Sequence, residues 1–420
     1  MVRGEELLWL ILPERNRPLL DIPFEFELES VSGWLWVGHP DGSSNLIDPF
    51  ANQKGDRLVV GRTEPWPHDV VPRRWSALAD GPWLIQVSHA GVRLFTLLPI
   101  FGSGEKVLQD LVPGGWTSPP GERLLGRPIL VSSSDESDPT ARRLYWLTDS
   151  KISDSIRLWC WSLSLAKPIA KPTSWPLKAE GFSSERGAAI IEIPSTEESP
   201  ALLVAGGGAL LAFQAPLGGE TSLSVRTVTT PIPLDLGNNF GDTLRLFALS
   251  SILRSGGSTS VAIGVENGIA TRQFLRVVVT PNEIQCSPVA GTGHPVGVAH
   301  LESGSVWVYL NESMLGWVNT LEQVHGTREL RKSERFDSIR VTGRVIALSG
   351  QGGNGRRILR VVDLTSRLVY HDDDSPLAAS RFTLPAIIGS ALLTVDQHDH
   401  GSRCLARYWL YDHNRAGNGP

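Results

Sequence analysis

Three glycines, Gly350, Gly352 and Gly355, have the Gly-x-Gly-x-x-Gly spacing with which backbone amides bind the pyrophosphate of a dinucleotide. That chemistry requires the glycines to lead from a strand into a helix, whose N-terminal amides attract the phosphates. Here the residues that follow, RRILRVVDL, have the apolar and β-branched composition of another strand. The sequence therefore predicts a hairpin loop at this position, and we expect no cofactor.

A second candidate is the segment 396–400, DQHDH, in which His398 and His400 would share one face of a strand, as metal ligands require. Gly401 follows, and a polar segment that ends in glycine is typical of a turn between strands. The segment 371–374, HDDD, has the composition of a solvated turn. We therefore predict two turns and no metal site.

Three tryptophans could bind a partner protein. Trp66, Trp116 and Trp175 stand among prolines and glycines, in PWPHD, GGWTSPP and TSWPL, which are typical of rigid loops. Tryptophan is enriched among the residues that dominate the energy of protein interfaces. These three are our candidate partner-binding residues. Packing of the indole against the edge of its own sheet is the competing interpretation, and the favoured one for any single tryptophan.

Two further pairs of tryptophans have a spacing typical of strands. Trp34 and Trp36 are two residues apart, as are Trp159 and Trp161, so each pair faces one side of its strand. A large aromatic pair on one face buries much apolar surface. We predict that both pairs pack between neighbouring sheets.

Strands, with no helices between them, are the elements that must position these residues. The clearest example is the segment 123–177, where four apolar, β-branched or aromatic runs are each bounded by Ser, Asp, Gly, Pro or Lys. The four runs cover residues 127–132, 143–148, 156–163 and 172–177. They predict one four-stranded antiparallel meander.

Similar sets of strand-like runs recur at a spacing of about 45–55 residues, which is typical of a repeat architecture. The sets of four runs cover residues 187–229, 243–289, 296–331 and 338–371. The last set, 381–411, is one strand short, and the N-terminal runs 7–12 and 23–29 can supply that strand.

The third strand of several sets has a similar apolar and aromatic core, namely LWCWSL at 158–163, LLAFQA at 210–215, RVVDL at 360–364 and RYWLYD at 407–412. This pattern resembles the β-propeller class, including PQQ-like and WD40-like repeats. The resemblance implies an all-β propeller of about seven four-stranded antiparallel blades, with six or eight also open, closed by an N-terminal strand. A pair of β-sandwich domains is the competing architecture.

The resemblance also suggests domain boundaries. Residues 1–80 would supply the closing strand and a first irregular blade, residues 81–413 the other blades, and residues 414–420 a disordered tail. Within the first part, Pro72 and the later Gly81 predict a short helical turn over residues 72–79.

Composition bounds the partners and the compartment. The 420 residues have a net charge of −5 and a pI near 6.1, which gives no overall attraction to nucleic acid or anionic lipid.

Cys160, Cys286 and Cys404 are far apart and odd in number, so we predict reduced, buried thiols. The apolar run 7–12 follows two glutamates and is too short for a signal peptide or a membrane span. We expect a cytoplasmic protein that binds neither nucleic acid nor membranes.

No residues stand out as catalytic. There is no Gly-x-Ser-x-Gly motif, and no acid and base pair can be chosen because a propeller distributes its site over loops of different blades. The run 328–335, RELRKSER, alternates charges as an exposed edge strand does. We therefore expect a non-enzymatic scaffold that binds protein partners in a bacterial assembly. In style the chain resembles degenerate propellers encoded beside ATPase, von Willebrand-type or protease partners in defence and signalling operons.

Two other functions stay open at this point. One is a propeller hydrolase with a metal site in the central channel, which would need Asp, Glu, Asn and His from at least three blades. The other is a glycan-binding lectin, which the tryptophans in loops allow.

Overall fold

The computed structural model contains strands and turns in the residues that it describes. These are residues 8–10, 27–31, 34–38, 43–48, 59–65, 75–88, 91–99, 106–132, 138–150, 155–177, 188–193, 201–206, 209–214, 232–233, 244–249, 253–255, 258–267, 271–279, 284–288, 294–311, 314–319, 324–330, 333–353, 357–364, 369–372, 386–388, 391–397 and 403–409. Within these ranges we find no helix that has the length and hydropathy to cross a membrane.

The described residues form 34 strands. Strands β1 to β10 are, in order, Leu8–Leu10, Glu27–Val31, Trp34–Gly38, Ser44–Ile47, Val59–Thr63, Trp75–Asp80, Trp83–Ser88, Gly91–Pro99, Lys106–Asp110 and Trp116–Thr117. Strands β11 to β18 are Glu122–Ser132, Arg142–Ser150, Ser155–Leu163, Thr173–Leu177, Ala188–Ile193, Ala201–Gly206, Ala209–Gln214 and Ile232–Pro233. Strands β19 to β27 are Leu244–Leu249, Leu253–Ser255, Ser258–Asn267, Thr271–Val279, Ile284–Pro288, His294–Leu301, Gly304–Leu310, Met314–Val318 and Val324–Glu329. Strands β28 to β34 are Arg335–Thr342, Val345–Gln351, Arg357–Asp363, Val369–Asp372, Ala386–Ile388, Ala391–Gln397 and Arg403–Trp409.

These strands pair into eight separate sheets, most of them built from strands that follow one another in the chain. Six sheets are meanders, and in five of them each strand pairs with the next strand in the chain. In the sixth, β19 and β20 both pair with β21. The pairings between the described strands are antiparallel. The meanders run β2 to β5, β11 to β14, β15 to β18, β19 to β23, β24 to β27 and β28 to β31, and β6 to β10 form a further sheet centred on β7 and β8. The predicted antiparallel, all-β organisation is confirmed.

The remaining sheet joins the two ends of the chain. β32, β33 and β34 form three adjacent strands, and β1 adds as the fourth by pairing antiparallel with β34. The register places Leu8 opposite Trp409 and Leu10 opposite Arg407. The last set of strands is completed by an N-terminal strand, as its missing fourth strand predicted.

One prediction for the first 80 residues is wrong, and one strand in them was missed. Residues 75–79 of the predicted helical turn lie in the strand β6, Trp75–Asp80, because pairing with β7 overrides the local turn signals. Residues 27–63 form a four-stranded meander that includes β4, Ser44–Ile47, in a segment where the sequence suggested turns. The sequence prediction missed β4 because it is short and lies in a segment rich in Asn, Asp and Gly.

The chain divides into two compact units. One unit contains residues 1–77, 95–111 and 330–420, and the other contains residues 78–94 and 112–329. The domain boundaries predicted at residues 80 and 413 stay predictions, and residues 414–420 lie outside the described part of the chain.

The sheet β11 to β14 belongs to the second unit and buries both of its faces. One face packs on the next sheet in an apolar cluster whose larger members are Tyr145, Leu147, Leu158, Cys160, Trp175, Ile190, Leu202 and Val204. The other face has Trp146, Trp159 and Trp161, which alternate along β12 and β13 with the residues of that cluster. Successive side chains of a strand point to opposite faces of the sheet, so each neighbouring sheet packs on a different apolar surface.

The pairing of β1 with β34 gives a test of the fold. Deleting residues 1–12 removes β1 and leaves β34 as an unpaired edge, so we expect the melting temperature to fall by roughly 5 °C or more and aggregation to increase. Deleting residues 1–6 keeps the paired strand and serves as the control. Equal melting temperatures for the two truncated chains in differential scanning fluorimetry would contradict the role of β1.

Candidate functional site

Trp116 lies in a cluster of four tryptophans that connects two sheets of the second unit. Its strand β10 pairs with β8, so Trp116 belongs to the sheet that precedes β11 to β14. Its ring centroid is 5.1 Å from that of Trp146 and 4.7 Å from that of Trp159. Trp146 and Trp159 are stacked at 5.9 Å, and Trp161 lies 6.3 Å from Trp146. The prediction of packing between neighbouring sheets is confirmed for Trp159, which contacts Trp116, whereas the ring contact of Trp161 is with Trp146 of its own sheet.

Polar contacts fix two of these indoles. Trp159 Nε1 donates a hydrogen bond to Thr148 Oγ1 at 2.9 Å, and Thr148 in turn donates to Glu122 Oε2 at 2.8 Å. Trp161 Nε1 donates to the carbonyl oxygen of Ala170 at 2.7 Å. A buried indole N–H needs such an acceptor, so each bond determines the orientation of its ring.

The three tryptophans proposed as partner anchors have different surroundings. Trp66 lies outside the described residues. Trp116 is half-buried and its indole packs on Trp146 and Trp159. Trp175 is 3% exposed and belongs to the apolar cluster under β14, so it has no surface for a partner. Packing, the competing interpretation, therefore describes Trp175, and we remove it from the candidate anchors.

The surface that best suits recognition is a loop that the sequence analysis did not single out. Residues 164–171 make up most of the connection between β13 and β14, and six of these eight residues are exposed. Leu165 is 39% exposed and is the large apolar side chain most open to solvent in the described part of the chain. We call residues 164–171 the recognition loop.

A hydrogen-bond network around Asp138 holds the recognition loop in one conformation. Ser164 Oγ donates to Asp138 Oδ2 at 2.5 Å, and Thr140 donates to Asp138 Oδ1 through both its backbone N–H and its hydroxyl. The backbone N–H groups of Ala166 and Lys167 donate to Ser164 Oγ, each at 3.1 Å. The hydroxyl of one serine therefore connects the loop to the turn before β12.

The same network sets the charge of Asp138. Hydrogen bonds from Ser164 and Thr140, helped by the positive charge of Lys167, hold the pKa of Asp138 below its usual value, although burial opposes this shift. The carboxyl group is therefore an ionised acceptor at neutral pH. No sequence pattern predicts the contact, because Asp138 and Ser164 are 26 residues apart.

A cleft of about 340 Å³ lies beside the recognition loop. It is formed by the first residues of β12, the last residues of β13 and the loop itself, and its polar lining consists of Asp138, Arg142, Arg143, Ser162, Ser164 and Lys167. Its volume falls within the range of sites that bind small molecules or single side chains. Three of its lining residues are cations, and one of them, Arg142, forms an ion pair with Asp80.

Cys160 is a buried thiol, as predicted for this cysteine. It is 1% exposed and lies opposite Tyr145 in the pairing of β12 with β13. Burial raises the pKa of Cys160 to about 11, with smaller opposing effects from Tyr145 and Arg143. At neutral pH the group is a protonated thiol of low reactivity, and its role is to fill space in the core.

The glycine motif connects two paired strands, as predicted. β29 ends at Gln351, β30 begins at Arg357, and the two pair antiparallel, so the segment between them is a hairpin connection. Gly355 lies outside the described residues, as do His398 and His400. Within the described ranges, no three His, Cys, Asp or Glu side chains gather as metal ligands would.

The charged run 328–335 is not one exposed edge strand, and that prediction is wrong. β27 ends at Glu329 and β28 begins at Arg335. Glu334 is 4% exposed and accepts a hydrogen bond from Arg360 Nη2 at 2.6 Å, and Arg360 is itself 1% exposed. The sequence prediction failed because the partner that neutralises Glu334 is 26 residues away.

Neither a protein-family model nor a curated protein sequence matches this chain. Among solved structures, it is similar to the WD40 domain of SCAP from fission yeast, with a TM-score of 0.55 and 11% identity over 94% of this chain and 98% of that chain. The fold is of the β-propeller type. This finding confirms the predicted class and favours it over a pair of β-sandwiches.

Two further similarities are weaker. The dihydro-heme d1 dehydrogenase NirN, solved in complex with DHE, has a TM-score of 0.46 and 11% identity over 82% of this chain. This chain spans only 66% of the NirN chain. A mutant of the Synechocystis apocarotenoid oxygenase has a TM-score of 0.45 and 11% identity over 81% of this chain and 84% of that chain.

The raised pKa of Cys160 predicts slow alkylation. A shift from the ordinary value near 9 to about 11 leaves about 100-fold less thiolate at pH 8. We expect iodoacetamide to modify Cys160 at least about 100-fold more slowly in the folded chain than in urea, as measured by peptide mapping. Because the folded state holds this proton more tightly, the free energy of unfolding should also fall as the pH rises above about 9. Equal alkylation rates in the two conditions would refute the burial of this thiol.

The lowered pKa of Asp138 predicts a loss of stability in the Asp138→Asn variant at pH 7. An amide group has one acceptor oxygen, so it cannot accept from both Ser164 and Thr140 as the carboxylate does, and we expect a lower melting temperature. The carboxylate stabilises the fold above its unfolded pKa of about 3.9, and this contribution is lost as the pH falls through the lower folded pKa. The difference between the two chains should therefore shrink below about pH 4.

The matched control is Asp80→Asn. Asp80 pairs with Arg142, but the side chain of Asp80 is 46% exposed, so the loss of its charge should change the melting temperature little. An Asp138→Asn variant as stable as the Asp80→Asn variant at pH 7 would show that the Asp138 network does not stabilise the fold.

Proposed function

We propose that this chain is a non-enzymatic recognition and scaffold subunit that binds a protein partner in a bacterial cytoplasmic assembly of the defence or signalling type. The observation that carries the proposal is the recognition loop, which is exposed to solvent and yet held by hydrogen bonds at both of its ends. A propeller-type fold suits this function because its sheets present loops on a rigid framework.

The order of the recognition loop supports binding in physical terms. Leu165 N donates to Thr140 Oγ1 at 3.3 Å, and the carbonyl oxygen of Ala170 accepts the bond from Trp161. Both ends of the loop are therefore fixed to the sheet before any partner arrives. A preordered loop loses little conformational entropy on association, so more of the contact energy appears as affinity.

The proposal includes a finer architecture. The eight sheets of the described residues and the pairing of β1 with β34 support a ring of eight blades closed by the first strand, in place of the seven that the sequence favoured. In such a ring the connections between strands provide the surfaces that differ from blade to blade.

The test compares variants of the recognition loop in the native host. Leu165→Asp places a charge on the exposed apolar side chain without removing any bond of the Asp138 network. We expect the wild-type chain to retain a stable partner through crosslinking and size-exclusion chromatography, and the Leu165→Asp variant to lose it. The melting temperature should stay the same.

Ser303→Asp is the control, because Ser303 is an exposed residue of the turn between β24 and β25 and its substitution adds the same single negative charge. This variant should retain the partner. A Leu165→Asp chain that still retains the same partner, or a loss of equal size in the control, would remove the recognition loop as the binding surface.

A further inference from the structure

Two tryptophans of the cluster reach solvent side by side. Trp116 and Trp159 are half-buried, whereas Trp146 and Trp161 are 0% and 2% exposed. The ring centroids of Trp116 and Trp159 are 4.7 Å apart, with an angle of 59° between the ring planes. The exposed part of the cluster is therefore one surface made of two adjacent indoles, and we call Trp116 and Trp159 the aromatic surface.

Trp116 offers a hydrogen-bond donor to solvent. The indole N–H groups of Trp159 and Trp161 already donate within the fold. The N–H of Trp146 is buried and has no acceptor among the described residues. The N–H of Trp116 donates to no residue in the described part of the chain, and it is not one of the buried polar atoms that lack a partner there. This N–H is therefore accessible to a ligand, which must supply an acceptor because an indole nitrogen only donates.

The charged side chains around Thr148, the acceptor for Trp159, form two ion pairs. Glu122 accepts a hydrogen bond from Thr148, and its Oε1 atom lies 4.0 Å from Arg157 Nε. Arg123 Nη2 lies 3.2 Å from Asp149 Oδ2. The charges of two carboxylates and two guanidinium groups sum to zero, so the aromatic surface is complementary to an uncharged ligand.

The segment that contains Trp116 is ordered before any ligand binds. Gly115 N donates to the carbonyl oxygen of Val112 at 2.7 Å just before Trp116, and Glu122 N donates to that of Pro119 at 2.9 Å after it. Trp116 itself lies in β10, which pairs with β8. A side chain on such a segment loses little conformational entropy on association.

Two classes of uncharged ligand pack on tryptophan, namely proline-rich peptides and saccharides. A proline-rich segment in the polyproline II conformation presents apolar rings and backbone carbonyl groups without internal hydrogen bonds, so it can accept from an indole N–H. A saccharide presents many hydroxyl groups, each of which needs a polar partner when it is buried. The exposed residues nearest to Trp116 in the chain supply a single side-chain hydroxyl group, and they are Pro113, Thr117, Pro120 and Gly121. The aromatic surface therefore favours the peptide.

We propose that the aromatic surface binds a proline-rich segment of a partner protein in the polyproline II conformation. Proline rings of the segment pack on the two indoles, and one of its backbone carbonyl groups accepts the N–H of Trp116. The aromatic surface shares no residue with the recognition loop. The inference therefore adds a second binding surface to the proposed function and does not depend on the first.

Decaproline, which adopts the polyproline II conformation, is the probe. In the full-length chain labelled with ¹⁵N-tryptophan, the indole N–H signal of Trp116 is identified by its loss in the Trp116→Phe variant. We expect decaproline to move this signal in a saturable way, and a Gly-Ser peptide of the same length to leave it in place. A Trp116 signal that does not move at millimolar decaproline would overturn the inference.

The Trp116→Phe variant keeps an aromatic ring in the cluster but removes the N–H. We expect it to weaken decaproline binding about 3-fold to 10-fold, as for the loss of one hydrogen bond, with the movement of the Trp159 signal as the readout. Trp34→Phe is the matched control, because Trp34 is a half-buried tryptophan of another sheet, and it should bind as the wild type does. Unchanged affinity in Trp116→Phe, or an equal loss in Trp34→Phe, would contradict the proposed contact.

Salt and other ligands distinguish the remaining occupants. Because the proposed contact is uncharged, the dissociation constant should change less than about 2-fold between about 0.05 and 0.5 M sodium chloride, and a larger rise would point to a charged ligand. Movement of the Trp116 signal with xylohexaose but not with decaproline would assign the aromatic surface to a saccharide. Movement with protein concentration alone would assign it to a second copy of this chain. Each of these three results would overturn the assignment of a proline-rich peptide.

The aromatic surface and the recognition loop fail in different tests. If Leu165→Asp loses the native partner but Trp116→Phe binds decaproline as the wild type does, the inference is wrong and the proposed function stands. If Leu165→Asp keeps the native partner but Trp116→Phe weakens decaproline binding, the recognition loop is not the binding surface and the inference stands.

Discussion

A four-stranded meander with two apolar faces cannot bury both faces by itself, and this constraint explains much of the structure. The sheet β11 to β14 satisfies it by packing one face on the sheet β15 to β18 through residues such as Tyr145 and Leu158, and the other on Trp116 of the preceding sheet. Each sheet of this kind needs a neighbour on both sides. The edge of a sheet also needs a partner for its backbone hydrogen bonds. β34 has such a partner in β1, which comes from the other end of the chain.

The strands that the sequence predicted correctly are those with a long run of apolar and aromatic residues that supplies both faces of the strand. β12 and β13 were predicted to within a few residues because Tyr145 and Trp146 begin two apolar series that point to opposite faces. β4 and β6 were missed because their local signals indicate turns, and only pairing with a neighbouring strand makes them extended. Local propensity therefore predicts strands with a strong periodic pattern, and tertiary pairing decides the short ones.

The candidate site was harder to predict than the fold because its contacts join distant residues. Tryptophans next to proline and glycine were candidate partner anchors, with packing on the sheet as the favoured interpretation, and Trp175 does fill the core, because burial of a large apolar surface outweighs the local turn signal. Asp138 and Ser164 look like ordinary turn residues in the sequence, and only the pairing of β12 with β13 brings them together. An Asp, Ser or Thr at both ends of one hairpin is the sequence signal that could have indicated an ordered loop.

Burial of both faces of a sheet also decides where recognition can occur. The tryptophans at the centre of the sheet β11 to β14 stabilise its packing, so changing them alters the fold before it alters any surface. In the recognition loop, the side chains that fix the backbone are different from those that face solvent. Asp138 and Ser164 hold the backbone, whereas Leu165 faces solvent and Lys167 lines the cleft. Because the side chain of Leu165 makes no hydrogen bond, its identity can change while the Asp138 network keeps the shape of the loop.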